Sequence, residues 1–224
     1  MKLAALYSGG KDSTFAIYGS INKGHDITAL VSIVSKNPES YMFHFPNIKF
    51  TQYQAESMNI PWVSRTTKGE KEKELQDLVK AIESVKGIDG LLAGGLASKY
   101  QYSRIMDIAD SLGLKTIVPH WRINPEEYWN MILKAGFKVM IIGVACEGLG
   151  REWLGRVIDR ETFRELKKLS IKHKFNLAGE GGEYETFVLD CPLFKKKLDA
   201  GDAETIWNHD SGFYLFKKMK LVEK

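Results

Sequence analysis

Ser8-Gly9-Gly10-Lys11-Asp12-Ser13 directly follows the apolar run Leu3-Ala4-Ala5-Leu6-Tyr7 near the start of the chain. The apolar run predicts a buried strand, and the residues after the glycines predict a helix over 12–22. Glycine lets the backbone approach a phosphate closely, and the free N–H groups and positive dipole end of a helix attract it. The serines add hydroxyl donors, Lys11 a cation, and Asp12 a magnesium ligand or a helix cap. The stretch therefore predicts a phosphate-binding loop; a plain glycine turn that caps a helix is the alternative.

Apolar strands alternate with amphipathic helices through the first half of the chain. The predicted strands span 2–7, 26–34, 61–64, 88–93 and 115–118, and the predicted helices span 12–22, 47–58, 71–85 and 99–112. Buried strands that alternate with helices indicate a parallel sheet covered on both faces. The ligand of such a sheet lies beyond the C-terminal ends of its strands, where the loop at 8–13 falls.

The pattern changes after Pro119. Helices are predicted over 125–135 and 160–174, and strands over 138–144, 187–189, 204–208 and 213–219. Consecutive short apolar runs without helices indicate a partly antiparallel sheet. The predicted fold class is α/β, a doubly wound parallel sheet over residues 1–119, with a second, smaller α+β domain over 120–224. The short boundary predicts two firmly docked domains with a cleft between them.

Composition narrows the classes of function. Hydrophobic residues make up 44% and charged residues 27% of the 224, and the net charge is a modest +4. Because the basic residues are scattered, no nucleic acid partner is expected, and the run Lys195-Lys196-Lys197 is interpreted as a solvated strand edge or turn. Cys146 and Cys191 form no CxxC pair, which excludes a sequence-evident zinc or iron–sulfur site and indicates a reducing compartment. No apolar stretch approaches the ~20 residues of a membrane span, so a cytoplasmic protein with no membrane partner is expected.

A second dense cluster is Gly179-Glu180-Gly181-Gly182-Glu183-Tyr184-Glu185-Thr186. Glycine weakens both helix and strand, and the three carboxylates repel one another. Such a segment is either a solvated loop or a loop held for a purpose. Carboxylates next to an aromatic ring can receive a cation, and they can also hold magnesium.

A third cluster is Gly94-Gly95-Leu96-Ala97-Ser98-Lys99-Tyr100-Gln101, followed by Arg104. It lies between a predicted buried strand and a predicted helix, so it shares the edge of the sheet with the loop at 8–13. Ser98 is a candidate helix N-cap. Arg104 is interpreted either as a surface ion-pair partner or as a contact for a phosphate or carboxylate.

Taken together, the three clusters resemble one family, the diphthine–ammonia ligases, over essentially the whole chain. The SGGKDS stretch resembles the pyrophosphate loop of the wider ATP pyrophosphatase superfamily with its HUP, Rossmann-like fold; it is not a Walker A loop, which has four residues between its first glycine and the Gly-Lys pair. The cluster at 94–104 and the glycine–glutamate segment are more specific to the family. Further matching segments are Met42-Phe43-His44, Gln54-Ala55-Glu56, Leu112-Gly113-Leu114, Pro119-His120-Trp121 and Asp190-Cys191-Pro192.

The resemblance implies ATP-dependent amidation of diphthine, the modified histidine of translation elongation factor 2. The diphthine carboxylate would be adenylated with release of pyrophosphate, and ammonia would then displace AMP to give diphthamide. ATP and Mg²⁺ are the implied cofactors, and the modified elongation factor and ammonium are the implied partners. No glutaminase signal is present, because Lys2 rather than a cysteine follows Met1, so free ammonia is the expected nitrogen source.

The same resemblance implies roles for individual residues. The catalytic set comprises Lys11, which would neutralise pyrophosphate, Asp12, which would place the metal, and Glu183 and Glu185. The ATP set comprises Ser8, Gly9, Gly10, Lys11, Asp12, Ser13, Ser32, Met42, His44, Gly94 and Gly95. The substrate set comprises Ser98, Tyr100, Gln101, Arg104, Trp121, Glu180, Gly181, Gly182, Tyr184 and Thr186. Our hypothesis is that the acidic and aromatic members of the glycine–glutamate segment receive the trimethylammonium group of diphthine; a packed core role is the alternative for His44 and Trp121.

Two other functions remain alternatives. A tRNA-modifying ATP pyrophosphatase would use the same loop to adenylate a base, but it favours a basic stripe. A non-catalytic nucleotide sensor would hold ATP without turnover and would need no acidic loop. A homodimer is an open arrangement, since Phe213 and Tyr214 are taken as exposed aromatics near the C-terminus.

Overall fold

The computed structural model describes residues 1–36, 47–70, 73–95 and 99–224, the last range without the side chains of 99–101. The first lobe contains β1 (Lys2–Leu6), α1 (Lys11–Asn22), β2 (Asp26–Ser35), α2 (Thr51–Met58), β3 (Trp62–Thr67), α3 (Lys73–Glu83), β4 (Gly90–Leu92), α4 (Lys99–Ser111) and β5 (Lys115–Ile117). The second lobe contains α5 (Pro125–Lys134), β6 (Lys138–Val144), β7 (Val157–Ile158), α6 (Arg160–His173), β8 (Tyr184–Asp190), β9 (Lys197–Asp199), β10 (Ala203–Asn208), β11 (Ser211–Phe216) and β12 (Lys220–Val222). Short 3₁₀ turns at Ile48–Phe50 and Arg151–Trp153 complete these elements.

The first lobe is built on a five-stranded sheet in the order β3-β2-β1-β4-β5, with every pairing parallel. The order reverses at β1, which pairs with β2 on one side and with β4 on the other. A reversal of strand order opens a crevice at the C-terminal edge of a parallel sheet. The loop that follows β1 therefore lies where ligands of such sheets bind.

Both faces of this sheet are covered, because successive residues of a strand point to opposite faces. Leu3 and Ala5 of β1 belong to the main core, whereas Ala4 belongs to a separate cluster. That cluster also contains Leu78 and Ile82 of α3 and residues of α4. The predicted doubly wound α/β fold is confirmed.

The second lobe is centred on β6. Its partner on one edge is β8, and its other edge pairs with β11 near Val144 and with β7 near Val139. All of these pairings, and that of β10 with β11, are antiparallel. β9 and β12 form a separate two-stranded antiparallel sheet. The predicted smaller, partly antiparallel α+β unit is confirmed.

Capping residues set where the two helices of the second lobe begin. Asn124 Oδ1 accepts hydrogen bonds from the N–H groups of Glu126 and Glu127, and Pro125 occupies the first turn of α5. Asp159 Oδ1 accepts the N–H of Thr162 at 2.8 Å and starts α6. With its start defined in this way, α5 turns Tyr128 and Trp129 into the core, where both are fully buried.

Several details of the second lobe differ from the sequence prediction. The strand predicted over 213–219 ends at Phe216, and β12 follows as a separate strand. β7 and β9 were not predicted, because strands of two and three residues are too short to display a period.

The lysine run is exposed where β9 begins, and Lys196 Nζ lies 2.8 Å from Glu223 Oε1. Phe213 and Tyr214 are half-buried, so the exposure predicted for these rings is wrong, and the homodimer stays a prediction.

One hydrophobic core joins the two lobes. It contains Leu3 and Phe15 from the first lobe together with Trp129, Ile141 and Phe187 from the second. The division at residues 119 and 120 remains a prediction. Among the described helices, none is both long and apolar enough to cross a membrane.

Candidate active site

The loop between β1 and α1 has a backbone at Gly9 that favours glycine. Gly9 has a φ of +79°, and a Cβ there would lie 2.5 Å from Gln54 Oε1 and 2.8 Å from Thr51 Cγ2. Gly10 follows in an extended conformation, and no side chain of the loop itself caps α1. Ser13 and Thr14 instead donate their hydroxyls to Gly10 O, at 3.3 and 2.8 Å. The hydroxyls of Ser8 and Ser13 lie 3.3 Å apart.

The open edge of β8 runs along this loop and is hydrogen-bonded to it. Lys11 N donates to Thr186 Oγ1 at 3.1 Å, and Val188 N donates to Gly9 O at 2.9 Å. Gln54 Nε2 of α2 donates to Gly9 O at 3.0 Å and to Val188 O at 2.7 Å. The first and third clusters of the sequence also meet, since a Cβ at Gly94 would lie 2.4 Å from the backbone of Asp12 and Ser13. A Cβ at Gly95 would meet nothing within 4 Å.

Lys11 is a buried cation at the first turn of α1. Its side chain is 3% exposed, and its Nζ lies 2.9 Å from Asp12 Oδ2. The same Nζ lies 5.4 Å from the ring centre of Tyr184 and 5.9 Å from that of Trp129, so two aromatic rings of the second lobe flank this cation. Burial alone would lower the pKa of Lys11, but the charge and hydrogen bond of Asp12, together with Tyr184 and Glu180, outweigh burial and raise that pKa above its ordinary value.

Asp12 uses only one of its two carboxylate oxygens within the described residues. Its Oδ2 contacts Lys11, whereas its Oδ1 is buried and has no hydrogen-bond partner among them. An unpaired, buried carboxylate oxygen next to the predicted phosphate-binding loop matches the oxygen ligands that Mg²⁺ prefers. The residues present therefore fit a magnesium ion held at Asp12. No group of three or more His, Cys, Asp or Glu side chains in the described part of the chain is arranged to hold a metal by itself.

The glycine–glutamate loop is ordered by its own hydrogen bonds, unlike a freely solvated loop. The carboxylate oxygens of Glu183 accept the backbone N–H groups of Asn176 at 2.9 Å and Gly181 at 2.7 Å. Glu183 O also accepts the N–H of Ala145, at the end of β6. Both side-chain oxygens of Glu183 thus hold the loop, while Glu180 is half-buried and Gly181 and Gly182 are exposed. The catalytic role predicted for Glu183 remains untested, but its observed contacts are structural.

Glu185 is a half-buried carboxylate on β8, opposite Gly143 of β6. Its side chain makes no hydrogen bond or ion pair with the described residues. Burial raises the pKa of Glu185 to about 7; the charges of Asp12 and Glu180 act in the same direction, and the Lys11 cation opposes them. A carboxylate that changes its protonation near neutral pH can accept or donate a proton during a reaction.

Tyr184 packs inside the site. Its hydroxyl donates to Leu177 O at 2.6 Å and accepts from Trp129 Nε1 at 3.1 Å. Burial raises the pKa of Tyr184, so it stays a neutral phenol. The cation that its ring contacts in this structure is Lys11.

Other predicted site residues have internal contacts. The Ser32 hydroxyl is buried, donates to Tyr7 O at 2.8 Å and accepts from Trp62 Nε1 at 3.0 Å, so its nucleoside contact remains a prediction. The Trp121 ring stacks on Tyr102 with centroids 4.4 Å apart. Arg104 on α4 is half-buried. Three predicted residues, Met42, His44 and Ser98, lie outside the described residues, as do the side chains of Tyr100 and Gln101.

Three residues near the loop were not assigned a role from the sequence: Gln54, Tyr128 and Trp129. Gln54 bonds the loop to β8, and Trp129 faces Lys11. Gln54 lies in a segment that resembles the family, and this resemblance was the one sequence signal that it has a role. Tyr128 and Trp129 carried none, because two adjacent aromatics in an amphipathic helix are typical of ordinary core.

The cysteines stay outside this chemistry. Burial raises the pKa of Cys146 to about 11 and that of Cys191 to about 12, so both remain protonated thiols at neutral pH.

Two protein-family models match this chain, one over each lobe. Residues 1–116 match the family model described as diphthamide synthase N-terminal domain, and residues 124–222 match the one described as diphthamide synthase C-terminal domain. The chain belongs to the diphthamide synthase family. Its resemblance to the diphthine–ammonia ligases, predicted from the motifs, is confirmed.

Curated members of the diphthamide synthase family align along the whole chain. A diphthine–ammonia ligase of Homo sapiens is 31% identical over 246 residues, which cover 100% of this chain and 91% of that protein. One from Danio rerio is 32% identical and is covered to 98%, whereas one from Schizosaccharomyces pombe is 31% identical but is covered to only 40% of its length. These names confirm the predicted enzyme class, a carbon–nitrogen ligase.

One solved structure is only distantly similar to this member of the diphthamide synthase family. It is described as a predicted subunit of tRNA methyltransferase from Methanocaldococcus jannaschii, with 15% identity and a TM-score of 0.45. The alignment covers 86% of this chain and 98% of that one. A likeness at this level carries no argument about function.

Proposed function

We propose that this chain amidates the carboxylate of diphthine on translation elongation factor 2, with ammonia as the nitrogen source and ATP converted to AMP and pyrophosphate. The observation that carries the proposal is the hydrogen bond from Lys11 N to Thr186 Oγ1. It joins the phosphate loop directly to the strand that bears the acidic residues. A nucleotide and a cationic, carboxylate-bearing substrate would therefore share one site.

The first step activates the carboxylate. An oxygen of the diphthine carboxylate attacks the α-phosphorus of ATP; the new oxygen–phosphorus bond forms while the bond to the bridging oxygen of pyrophosphate breaks. The Lys11 side chain and the N–H groups of α1 that follow Lys11 N, which itself donates to Thr186, would stabilise the negative charge that develops on the leaving pyrophosphate. Asp12 Oδ1 would hold Mg²⁺, whose charge would neutralise the phosphates.

Recognition of the substrate would rest on the acidic residues of the second lobe. Diphthine carries a permanent trimethylammonium group. The charges of Glu180 and Glu185 both act on the region around Lys11, whose Nζ faces the rings of Tyr184 and Trp129. Glu183 would act indirectly, because both of its side-chain oxygens hold the backbone of the loop. Thr186 would have a similar indirect role, since its hydroxyl accepts the N–H of Lys11.

The second step forms the amide. Ammonia attacks the carbonyl carbon of the adenylate, the carbon–nitrogen bond forms, and the bond to AMP breaks. The attacking nitrogen must lose a proton, and ammonium must first lose one to become a nucleophile. Glu185 would accept such a proton, because it lies close to the charges of Lys11 and Asp12 and its pKa of about 7 allows it to act as a base near neutral pH.

Product analysis tests the proposal. The protein is incubated with ATP, Mg²⁺, ammonium and diphthine-bearing elongation factor 2, and AMP and pyrophosphate are measured. Both products should form only when that factor is present, and Lys11→Met should lower their rate by at least ~100-fold, the size of effect seen when a charge-stabilising group is removed. Lys23→Met, at the exposed end of α1, is the matched control and should leave the rate unchanged.

The other outcomes identify the alternatives. AMP formation that requires tRNA instead of the factor would contradict the proposed substrate and support a tRNA-modifying enzyme. ATP binding without turnover under any of these conditions would support a nucleotide sensor. Circular dichroism of the Lys11 variant checks that lost turnover is not lost folding.

A further inference from the structure

Helix α5 of the second lobe presents two successive aromatic residues to two successive charged residues of the phosphate loop. Trp129 lies beside Lys11, with 5.9 Å between the lysine Nζ and the ring centre. Tyr128 is fully buried next to it, and its ring packs edge-on against Phe15 with centroids 5.5 Å apart. Phe15 lies three residues after Asp12 on α1, so both belong to the same face of the helix.

The Tyr128 hydroxyl is buried and has no hydrogen-bond partner among the described residues, and the same is true of Asp12 Oδ1. One of these atoms is a donor and the other is an acceptor. Leaving a buried polar atom unpaired is costly, and native proteins rarely do so without a reason. Tyr128 packs on Phe15, one turn from Asp12, and its neighbour Trp129 faces Lys11, so the packing places the hydroxyl on the Asp12 side of α1. Burial raises the pKa of Tyr128, and the Asp12 carboxylate acts in the same direction, so the phenol keeps its proton.

Two aromatic rings pack against Tyr128, and neither forms a hydrogen bond with its hydroxyl. The rings of Phe15 and His120 pack against it, with the His120 centroid 5.4 Å away. His120 Nε2 is itself buried without a partner in the described part of the chain, and a Cβ at Gly19 would meet it at 3.2 Å. An aromatic pocket of this kind would suit phenylalanine better than tyrosine unless the hydroxyl has a use.

We propose that Tyr128 is a positioning residue whose hydroxyl donates a hydrogen bond to Asp12 Oδ1 when the nucleotide and its divalent cation bind. Lys11 already holds Oδ2 at 2.9 Å, so the two residues together fix both oxygens of the carboxylate. A carboxylate oxygen has two lone pairs and can accept this hydrogen bond while it contacts a cation. The second lobe thereby sets the cation affinity of a loop that belongs to the first. The inference rests on the cation-binding role of Asp12 in the proposed function.

Calorimetric binding of α,β-methylene-ATP, which cannot be cleaved between its α and β phosphates, tests the inference without turnover. The analogue is titrated at a series of Mg²⁺ concentrations into the wild-type protein, Tyr128→Phe and Tyr18→Phe. Tyr128→Phe should raise the Mg²⁺ concentration for half-maximal binding by about tenfold, the effect of losing one hydrogen bond to a charged group. Binding without Mg²⁺ should be unchanged. Tyr18→Phe is the matched control, since Tyr18 also stacks on Phe15 but lies further along α1.

Two further measurements separate positioning from packing. In an Asp12→Asn background, Tyr128→Phe should have no additional effect on Mg²⁺ dependence, and Tyr128→Phe alone should not lower the melting temperature. A lower melting temperature with unchanged Mg²⁺ dependence would overturn the inference and make Tyr128 a packing residue. Mg²⁺-dependent binding that is identical in wild type and variant would overturn it while the proposed function stands. A wild-type protein whose nucleotide binding ignores Mg²⁺ would overturn both.

Discussion

Gly9 shows how a single residue can decide the geometry of the site. Its φ of +79° is unfavourable for any residue with a Cβ, and the space beside it is filled by Gln54 and Thr51. Gly24 has nearly the same φ, +81°, but a Cβ there would meet nothing within 4 Å. Both glycines therefore adopt a left-handed backbone that disfavours other residues, but only at Gly9 would a Cβ also clash with neighbouring side chains.

Gly9→Ala should lower the free energy of unfolding by about 3 kcal/mol, because backbone strain adds to a steric clash. Gly24→Ala, which adds strain alone, should cost about 1 kcal/mol. Urea denaturation followed by circular dichroism measures both. Equal losses in the two variants would mean that the contacts of Gly9 with α2 relax freely.

Glu185 is the residue whose protonation should govern the pH dependence of the reaction. Its pKa is raised to about 7 by burial and by Asp12 and Glu180, against the opposing Lys11. The rate at a fixed concentration of free ammonia should therefore rise with pH through about 7. Glu185→Gln should slow amide formation from ammonium by about 100-fold or more, the usual contribution of a general base. Hydroxylamine, a base much weaker than ammonia, should restore most of that rate, whereas a variant that fails with both nucleophiles would contradict the assignment.

The same shift of the Glu185 pKa has a consequence for stability. Because the folded-state pKa lies above the ordinary 4.5, burial of Glu185 costs no stability below pH 4.5, and stability falls as the pH rises towards 7. Glu185→Gln should thus raise the free energy of unfolding by about 1–3 kcal/mol at pH 8 and change it little at pH 4. Thermal unfolding at the two pH values checks this. The exposed Glu161→Gln is the control, and an equal gain at both pH values would contradict the predicted cause.

At the level of elements, α2 connects the loop that contains Gly9 to β8 through hydrogen bonds. Gln54 Nε2 donates to carbonyl oxygens of both, Gly9 O and Val188 O, and Gln54 is fully buried. Gln52, two residues earlier on the same helix, is exposed. The position on the helix thus decides whether a glutamine is a buried hydrogen-bond donor or an ordinary surface residue.

Gln54→Leu should lower the free energy of unfolding by about 2–3 kcal/mol, since two buried carbonyls each lose a donor. Gln52→Leu should change it by less than about 0.5 kcal/mol, as expected for an exposed site. Chemical denaturation of the two variants under identical conditions makes the comparison. A Gln54 variant as stable as the Gln52 variant would mean that Val188 N alone holds Gly9 O.

For the whole molecule, the shared core predicts that the two lobes unfold together. Leu3 of the first lobe is fully buried in the same core as Trp129 and Trp153 of the second. Leu3→Ala should lower the free energy of unfolding by about 3 kcal/mol through the cavity that it leaves. Because one core is shared, the midpoints seen by tryptophan fluorescence and by far-ultraviolet circular dichroism should move by the same amount. A fluorescence midpoint that stays in place would show that the second lobe unfolds independently.

Sequence alone determined the order and type of most elements. Strands such as β6 and helices such as α1 have periods long enough to read, and the phosphate loop stands out because its glycines fall between a strand and a helix. The alternation of strands and helices was sufficient to predict a parallel sheet with its ligand edge at residues 8–13. The glycine–glutamate segment was recognisable from its composition, though not its internal hydrogen bonds.

Only the tertiary structure decided which distant residues meet the loop. Thr186 and Val188 bond to it across more than 170 residues of sequence, through the open edge of β8, and no local period encodes such a pairing. The tertiary structure also decided the contacts of Glu183, whose carboxylate accepts hydrogen bonds from backbone N–H groups. It likewise decided the position of Tyr128, which the sequence pattern does not distinguish from an ordinary core residue. Local sequence reports local preference, whereas the partners of a buried polar atom depend on how the lobes pack. The arrangement of the candidate site therefore depends on the packing of β8 and α5 against a loop that the sequence predicts.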